Sequence, residues 1–546
     1  MTQVGEPTTW RATVLAAGLT VFLLVLEHQL FGTPYRHYLG TAFDSGTMHG
    51  VLRLGALLAT VGVQSLFFWT AFVASWPARA AYVSLFAVVT FIQYGYVAAT
   101  GGFLTGHDFD IAIGAPMHWH AMATHYANPW TAVPVAAFVL LFACAGPPRR
   151  QGDRRRFLVL LVLCTALHAL YAVPLSARAA GHPSIELGQP LVSSQGFARS
   201  VIQFAVGRGT RAYQRATGGG RQPVAFRAST TPNRHIVLVV DESVRGDHLS
   251  VNGYHRPTTP YLERLAQEGT LLNWGLAAST TPVSNDSILC LLTGVQTLPD
   301  RGRRTLSQPT MFEFAKAMGF ETHWFDGGTR HLRFGFDSAD LRHVDDWGTR
   351  DRFGDHPATD FQIAEAAARL LTRPTGQFIV IFKRGNHLPA EDNYPEAARI
   401  WSPDGNGVNG YDNALRYNID HFFEILIGDA PSRDRTVVLY TSDHGVQLGA
   451  ARPQAGRTII WQDVTVPMLM LGGQLPAADT RYAAHHANIM PTILELMEVP
   501  AHVRTFVDGR SLLTARATAN DTRLVFSGDF FGLGPSIVSN FDQLPR

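Results

Sequence analysis

Long uncharged apolar runs dominate the chain from Arg11 to about Ala177, and beyond that short apolar runs alternate with amphipathic stretches. A segment needs about 20 predominantly apolar residues to cross a bilayer. Five runs approach that length: Ala12–Leu30, Leu54–Ala74, Ala81–Ala99, Trp130–Ala145 and Phe157–Pro174, the fourth being short. Arginine placement predicts their orientation, because short cytoplasmic loops carry the excess of Lys and Arg. Arg11 precedes the first run, Arg79 separates the second and third, and Arg149, Arg150, Arg154, Arg155 and Arg156 separate the fourth and fifth. Residues 101–129 contain no Lys or Arg and belong outside, with Arg36 in the first outer loop as a minor exception. The N-terminus is therefore expected inside and everything after about Ser176 outside. The first run is long and lacks a small-residue cleavage site, which argues against a cleaved signal peptide.

The stretch 178–232 reads as a connector, polar and Gly-rich at Thr217–Arg221, with a short amphipathic segment near Phe197–Val206. A solvated tether is the simpler reading, and a helix resting on the membrane surface the alternative. From residue 233 the pattern changes. Apolar runs at Ile236–Val240, Thr322–Phe325, Phe378–Phe382, Val437–Tyr440 and Val466–Leu471 predict strands. Helical periodicity predicts helices at Tyr261–Glu268, Thr310–Met318, Gln362–Leu371, Tyr411–Ile427 and Ile489–Met497. Such alternation is the signature of an α/β domain, a mostly parallel sheet covered by helices, expected over 233–546. Ligands of open α/β sheets collect at the carboxyl ends of the strands.

Composition narrows the function. At 546 residues the chain is too long for one ordinary core. A formal net charge of +2 argues against a nucleic-acid surface, so no nucleic-acid partner is expected. Of three cysteines, Cys144 and Cys164 fall in expected spans, leaving Cys290 alone in the exported part with no disulfide partner. The outer loop carries His107, His118, Trp119, His120 and His125. Anchoring at the membrane interface explains such a group, against a second metal site or a donor-lipid contact.

Three segments carry candidate chemistry. Asp443-His444-Gly445 follows the run Thr436–Thr441. Neighbouring strand side chains point to opposite faces, so both ligands reach one ion only if the chain turns, which Gly445 permits. A carboxylate plus an imidazole favours Zn²⁺ or Mn²⁺ over Mg²⁺ or Ca²⁺. Asp241-Glu242-Ser243 follows the first expected strand and would close a metal site with Asp443 and His444, or would merely cap the next turn. The hydroxyl-dense segment Thr280–Gly294 runs into an apolar helix. It either caps that helix or presents a nucleophilic hydroxyl. Residue chemistry alone leaves Thr280, Thr281, Ser284 and Ser287 open.

Together these motifs resemble those of membrane-anchored enzymes of the alkaline phosphatase/sulfatase superfamily, nearest the lipid A phosphoethanolamine transferases and more distantly lipoteichoic acid synthase. In the transferases a strand leads into Gly-Glu-Thr and then Asn-Gly-Tyr-x-Arg-x-Thr-x-Pro, matched by Asp241-Glu-Ser243 and Asn252–Pro260. Their nucleophile motif lies over Ser284–Thr293, and the sulfatase spacing before Leu-Leu-Thr-Gly gives the same position. Their Ser-Asp-His-Gly matches Ser442–Gly445, their Gly-Ser-His-Gly-Pro loop is similar to Gly385–Pro389, and their Tyr-Asp-Asn helix matches Tyr411–Asn413.

The resemblance implies Zn²⁺, with Mn²⁺ as the alternative, held by Glu242, Ser284, Asp443 and His444. It implies Ser284 as the nucleophile, His387 as a phosphoryl contact or proton carrier, and Asn252, His387, Lys383 and His486 as substrate-binding. The implied reaction moves phosphoethanolamine from a phospholipid donor to an envelope glycan or lipid acceptor through a phospho-Ser284 intermediate. The implied place is the bacterial inner membrane, with five helices in 1–177 and the catalytic domain in the periplasm. Phosphoglycerol transfer, hydrolysis of a sulfatase or phosphodiesterase type, and a catalytically silent scaffold are the alternatives. Three departures bear on the acceptor: serine replaces threonine as nucleophile, the family's disulfide cysteines are missing, and residues 446–461 contain no histidine. His485 or His486 is left to supply that imidazole, or to hold the helix toward Met497.

Overall fold

A computed structural model describes the helices Thr9–Phe31 and Trp76–Thr100, residues 61–72 between them, scattered positions up to 201, and 221–546 with short breaks, the longest at 297–300, 449–458 and 529–535. The chain divides into two compact units, Met1–Ala212 and Tyr213–Arg546.

In the first unit, the helix Thr9–Phe31 contains the first expected span and Trp76–Thr100 the third. Ala16, Leu19 and Leu23 pack with Phe68, Ala71, Tyr82 and Phe86. Ser65 Oγ donates to Thr20 Oγ1 at 3.0 Å, and Tyr94 OH donates to Glu27 Oε1 at 3.1 Å. Among the described residues no helix is long and apolar enough to cross a membrane. Val14, Val21 and Val25 on the first helix, and Leu85 and Val88 on the other, are nonetheless more than half exposed. The fifth expected span, the arginine cluster 149–156 and the histidine loop lie outside the described residues, as does most of the expected connector. From Arg221 onward the connector's end packs on the second unit, where the Arg221 guanidinium pairs with Asp340 and donates to Thr305 O at 2.6 Å and Gln308 O at 2.9 Å.

The second unit is built on a seven-stranded sheet in the order β2-β7-β6-β1-β5-β3-β4. The strands are β1 His235–Asp241, β2 Leu271–Ala278, β3 Glu321–Asp326, β4 Asp346–Thr349, β5 Gln377–Phe382, β6 Thr436–Ser442 and β7 Thr465–Gly472. β1, β3, β4, β5 and β6 pair in parallel, while β7 runs antiparallel to both β6 and β2. All five expected strands are present in this mixed, mostly parallel sheet. A strand covered on both faces must be apolar throughout, and β1 shows why its run is unbroken. Ile236, Leu238 and Val240 pack against the helices Ser284–Thr293, Met311–Ala317 and Ile489–Leu496. Val237 and Val239 pack against Pro260–Gln267, Thr359–Leu370, Val408–Asn418 and Asp420–Leu426. The result is three layers, helix–sheet–helix.

Several elements differ from expectation, among them the edge strand β4, which was not expected. The expected helix 411–427 is broken at Ile419, where the Asn418 carbonyl accepts a hydrogen bond from Lys383 Nζ at 3.2 Å. β2 escapes the apolar pattern because its register shifts between Asn273 and Leu276, with Gly275 at φ 69°. Such a bulge looks like a turn in sequence. A separate antiparallel pair, β8 Leu524–Gly528 and β9 Ser536–Asn540, lies near the C-terminus.

Candidate active site

The parallel register of β1 and β6 sets Asp241 opposite Ser442, so the next residues, Glu242 and Asp443, leave the same sheet edge side by side. One ligand atom from each of Glu242, Asp443 and His444 lies within 4.8 Å of the others. His444 Nε2 is 3.7 Å from Glu242 Oε1 and 3.5 Å from Asp443 Oδ2. His444 Nδ1 bonds to the Gly445 carbonyl at 2.6 Å, which puts its proton there and turns Nε2 toward the carboxylates. Asp443 Oδ1 accepts from the backbone N–H groups of Ser243 at 3.0 Å and His444 at 2.7 Å. Asp443 Oδ2 is buried and makes no hydrogen bond. A buried carboxylate oxygen without a donor is costly unless a cation supplies the charge. Two carboxylates, an imidazole with its second nitrogen bound to a carbonyl, and that orphaned oxygen fit a small divalent ion of the zinc type.

Burial and the facing Glu242 carboxylate push the Asp443 carboxyl above its ordinary value. Burial works to lower His444, but Asp443 and Glu242 outweigh it and hold the imidazole above its ordinary value. Both shifts come from concentrating charge where water is excluded.

The Ser284–Thr293 helix begins at this cluster. Ser284 Oγ lies 3.1 Å from His444 Nε2. The other candidate hydroxyls point elsewhere. Ser287 Oγ donates to Asp443 O at 2.6 Å, Thr280 Oγ1 is bonded to Gln296, and Thr281 Oγ1 is buried without a partner. Gly445 plays a different part from the one its sequence position predicts. A Cβ there would sit 2.1 Å from Gln462 O and 2.8 Å from Thr465 O, so glycine is required by backbone contact rather than by a left-handed turn.

The remaining nominated residues separate into two groups. His387 is half-buried, bonds through Nδ1 to Leu388 O at 2.8 Å, and has its pKa lowered by burial and by Arg384, with the charges of Asp443 and His444 also felt. Lys383, His486 and Asn252 are engaged within the fold. Lys383 Nζ donates to Asp241 Oδ2 at 2.6 Å and lies 4.8 Å from the Phe422 ring centre. His486 is buried. Its Nε2 meets Ser442 O at 2.9 Å, and its Nδ1 lies 3.4 Å from Thr280 N and 3.3 Å from Ser287 Oγ. Burial, then His485, lower its pKa well below the usual value, so it bridges β6 to the Ser284 helix as a neutral ring. Asn252 Nδ2 closes its own turn on Gly246 O at 2.8 Å.

Sequence reasoning missed the supports beneath the cluster. Asp241, left open by the sequence between a part in the metal site and a helix cap, is buried between Lys383 and Tyr440 OH, which donates to Oδ2 at 3.0 Å. Gly385 makes room for it: a Cβ there would meet Asp241 Oδ1 at 1.9 Å. The Asp-Glu dipeptide at a strand end was the available signal. Arg333, in the loop that follows β3, donates to Asp326 Oδ2 at 2.5 Å. Burial opposes its charge, but Asp326, with Glu242 and Asp443 contributing, raises its pKa.

Residues 234–499 match the family model described as sulfatase. Over 225 residues the chain is 27% identical to the Kdo(2)-lipid A phosphoethanolamine 7''-transferase of Escherichia coli K12, covering 39% of each protein. Over 313 residues it is 25% identical to the phosphatidylethanolamine transferase Mcr-1 of Escherichia coli, covering 49% of this chain and 54% of that one. The chain thus spans between two-fifths and about half the length of these relatives. The integral membrane lipooligosaccharide phosphoethanolamine transferase A of Neisseria meningitidis shares the fold at a TM-score of 0.57 and 17% identity, over 89% of this chain and 95% of that one. The mixed sheet, the cluster at its carboxyl edge and the family match converge on one assignment: residues 234–499 are a sulfatase-family domain.

Proposed function

We propose that the chain is a membrane-anchored phosphoethanolamine transferase, taking the group from a phospholipid and passing it to a lipid or glycan of the bacterial envelope through Ser284. The observation that carries the reading is the position of Ser284 Oγ, 3.1 Å from His444 Nε2 in the Glu242–Asp443–His444 cluster. Glu242, Asp443, His444 and Ser284 would hold Zn²⁺, with Mn²⁺ as the alternative. A bound divalent ion there supplies positive charge to phosphoryl oxygens and lowers the pKa of a nearby hydroxyl.

Ser284 Oγ attacks phosphorus, the new Oγ–P bond replaces the bond to the diacylglycerol oxygen, and the serine proton leaves with diacylglycerol. An acceptor hydroxyl then attacks the same phosphorus, the Oγ–P bond breaks, and Ser284 recovers a proton. His387 is assigned to proton transfer in these steps, because burial and Arg384 keep it neutral near pH 7 and able to accept. The Ser284 helix and the Asp443 backbone, tied by Ser287 Oγ, keep nucleophile and cluster in fixed relation.

A lipid donor explains the apolar first part of the chain, read as five spans in 1–177 joined by 178–232 to the catalytic domain 233–546, which would face the periplasm of an inner-membrane protein. The exposed valines and leucines of Thr9–Phe31 and Trp76–Thr100 support that reading, since water solvates such surfaces poorly. Resemblance to the transferases named above supports the moiety.

The deciding experiment incubates the full chain with headgroup-labelled phosphatidylethanolamine and an envelope lipid extract. Label on a lipid or glycan, with release of diacylglycerol, is expected. Free labelled phosphoethanolamine alone would make the protein a hydrolase, and transfer only in a parallel incubation with headgroup-labelled phosphatidylglycerol would make it a phosphoglycerol transferase.

A further inference from the structure

Tyr411, Asp412 and Asn413 are consecutive on the helix Val408–Asn418, and all three are fully buried. Successive helix positions point about 100° apart, so three in a row inside means that the helix is enclosed on several sides. Each residue ties down a different loop. Asp412 receives Tyr254 OH at 2.9 Å and Arg256 Nη1 at 2.6 Å, and meets His248 Nδ1 at 2.8 Å. Asn413 Oδ1 accepts from the backbone N–H groups of Ile400 at 2.8 Å and Trp401 at 3.0 Å. Tyr411 reaches the turn that follows β1.

That turn is strained. Ser243 has φ 58°, left-handed for a residue with a side chain. The unusual backbone aims two groups at once. Ser243 N points to Asp443 Oδ1, and Ser243 Oγ donates to Glu242 Oε1 at 2.8 Å. Such a conformation persists only where its surroundings over-determine it. Val244 N is fixed by Ser442 Oγ at 2.8 Å. The two flanking backbone groups share a single partner: Tyr411 OH donates to Ser243 O at 2.8 Å and accepts from Arg245 N at 2.8 Å. Burial pushes the phenol far above its ordinary pKa, so it stays protonated and able to play both parts.

We infer that Tyr411 is a positioning residue for the metal cluster, its hydroxyl clamping the left-handed Ser243 turn that aims Glu242 at Asp443 and His444. The inference rests on the reading of that cluster as a metal site. Tyr411 lies outside the Glu242–Asp443–His444 cluster and acts on it only through the turn. The T-shaped contact of its ring with His248, at 5.3 Å, survives in Tyr411→Phe, so that variant removes the clamp alone.

The test measures Zn²⁺ affinity of the purified full chain by competition with a chromophoric chelator, together with amide hydrogen exchange over 242–246. Tyr411→Phe should lower affinity about tenfold or more, as loss of a partner behind a ligand does, and should speed exchange of the Arg245 amide. Leu415→Ala, buried one turn along the same helix and apolar, so unable to hydrogen-bond the Ser243 turn, should lower thermal stability while keeping wild-type affinity. Unchanged affinity in Tyr411→Phe, or an equal loss in Leu415→Ala, would overturn the inference. Absence of Zn²⁺ binding in the wild type would instead sink the metal reading. Exchange would then decide the clamp, and an unaltered Arg245 amide in Tyr411→Phe would refute it.

Discussion

Lys383 separates two readings of the same residue. As a substrate contact it would be dispensable for folding, whereas the geometry makes it the counter-ion of a buried carboxylate. Its side chain and that of Asp241 are 0% and 1% exposed, with Nζ and Oδ2 2.6 Å apart. Its remaining polar contact is the Asn418 carbonyl at 3.2 Å. Burial alone pushes Asp241 toward protonation and Lys383 opposes that, so the pair is held together by mutual need. Lys383→Met removes the cation at nearly constant volume and strands a carboxylate beneath Glu242. Breaking one side of a buried pair costs about 3–5 kcal/mol, while replacing both sides with neutral groups is often nearly free. Asp241→Asn retains an acceptor oxygen for Glu242 N or Tyr440 OH, so the double variant Asp241→Asn/Lys383→Met should recover most of the loss. Urea unfolding of the four proteins, followed by tryptophan fluorescence at pH 7, yields the coupling energy, expected at about 2 kcal/mol or more. An unchanged unfolding midpoint in Lys383→Met, accompanied by weaker donor-lipid binding, would refute the argument and return Lys383 to the substrate.

Ser284→Ala should abolish the phospho-substituted peptide seen by mass spectrometry after incubation with donor lipid, Ser284→Thr should keep measurable transfer, and Thr281→Ala should retain most of it. Asp443→Asn and His444→Ala should each lose bound Zn²⁺ or Mn²⁺ by elemental analysis, since the first weakens a ligand and the second removes one; full metal content in both would place the site elsewhere. Asp420 is buried, donates nothing, accepts from Tyr261 N at 2.6 Å and is raised to about 7, chiefly by burial. Its contribution to stability is therefore present below about pH 4 and lost as pH rises through about 7, so Asp420→Asn should flatten the fall in stability between those values by on the order of 4 kcal/mol. A reporter active only outside the cytoplasm should be silent when fused at Gln151 and active when fused after Arg178, and the opposite pattern would invert the proposed topology.

The central strands were readable because both of their faces are covered. Ile236–Val240 has no polar residue to break the run, and each of its side chains falls into one of two cores. β2 and β4 lie at the two edges of the sheet, where packing demands less of each position, and the Asn273–Gly275 bulge disguises the first of them. At the site, carboxylate and imidazole at strand ends offered Asp443-His444 and Glu242 as metal ligands beside a plain loop or capping role, and the accompanying motifs tipped the choice to the metal. Choosing Ser284 among four hydroxyls required a motif resemblance, since helix capping and nucleophilicity call for the same residue types. Of the four, Ser284 is the one whose Oγ lies 3.1 Å from His444 Nε2, which supports the proposed role.

What the sequence could not disclose is which polar residues hold the ligands in place. Lys383 and His486 have the chemistry of substrate contacts, and only burial reveals that their bonding capacity is turned toward Asp241, Asn418, Ser442 and Thr280. The same blindness hid Tyr411, whose motif neighbours Asp412 and Asn413 read as one unit but grip separate loops. A strained turn at Ser243 and a buried carboxylate at Asp241 are each unfavourable in isolation. Both are tolerated where Glu242 must leave β1 at a fixed angle, and their supports come from β5, β6 and the helix Val408–Asn418 at once. Local rules of sequence fail here because the aim of a single carboxylate is set by residues far away along the chain, such as Tyr411 acting on Ser243 at a separation of 168 and Ser442 on Val244 at 198.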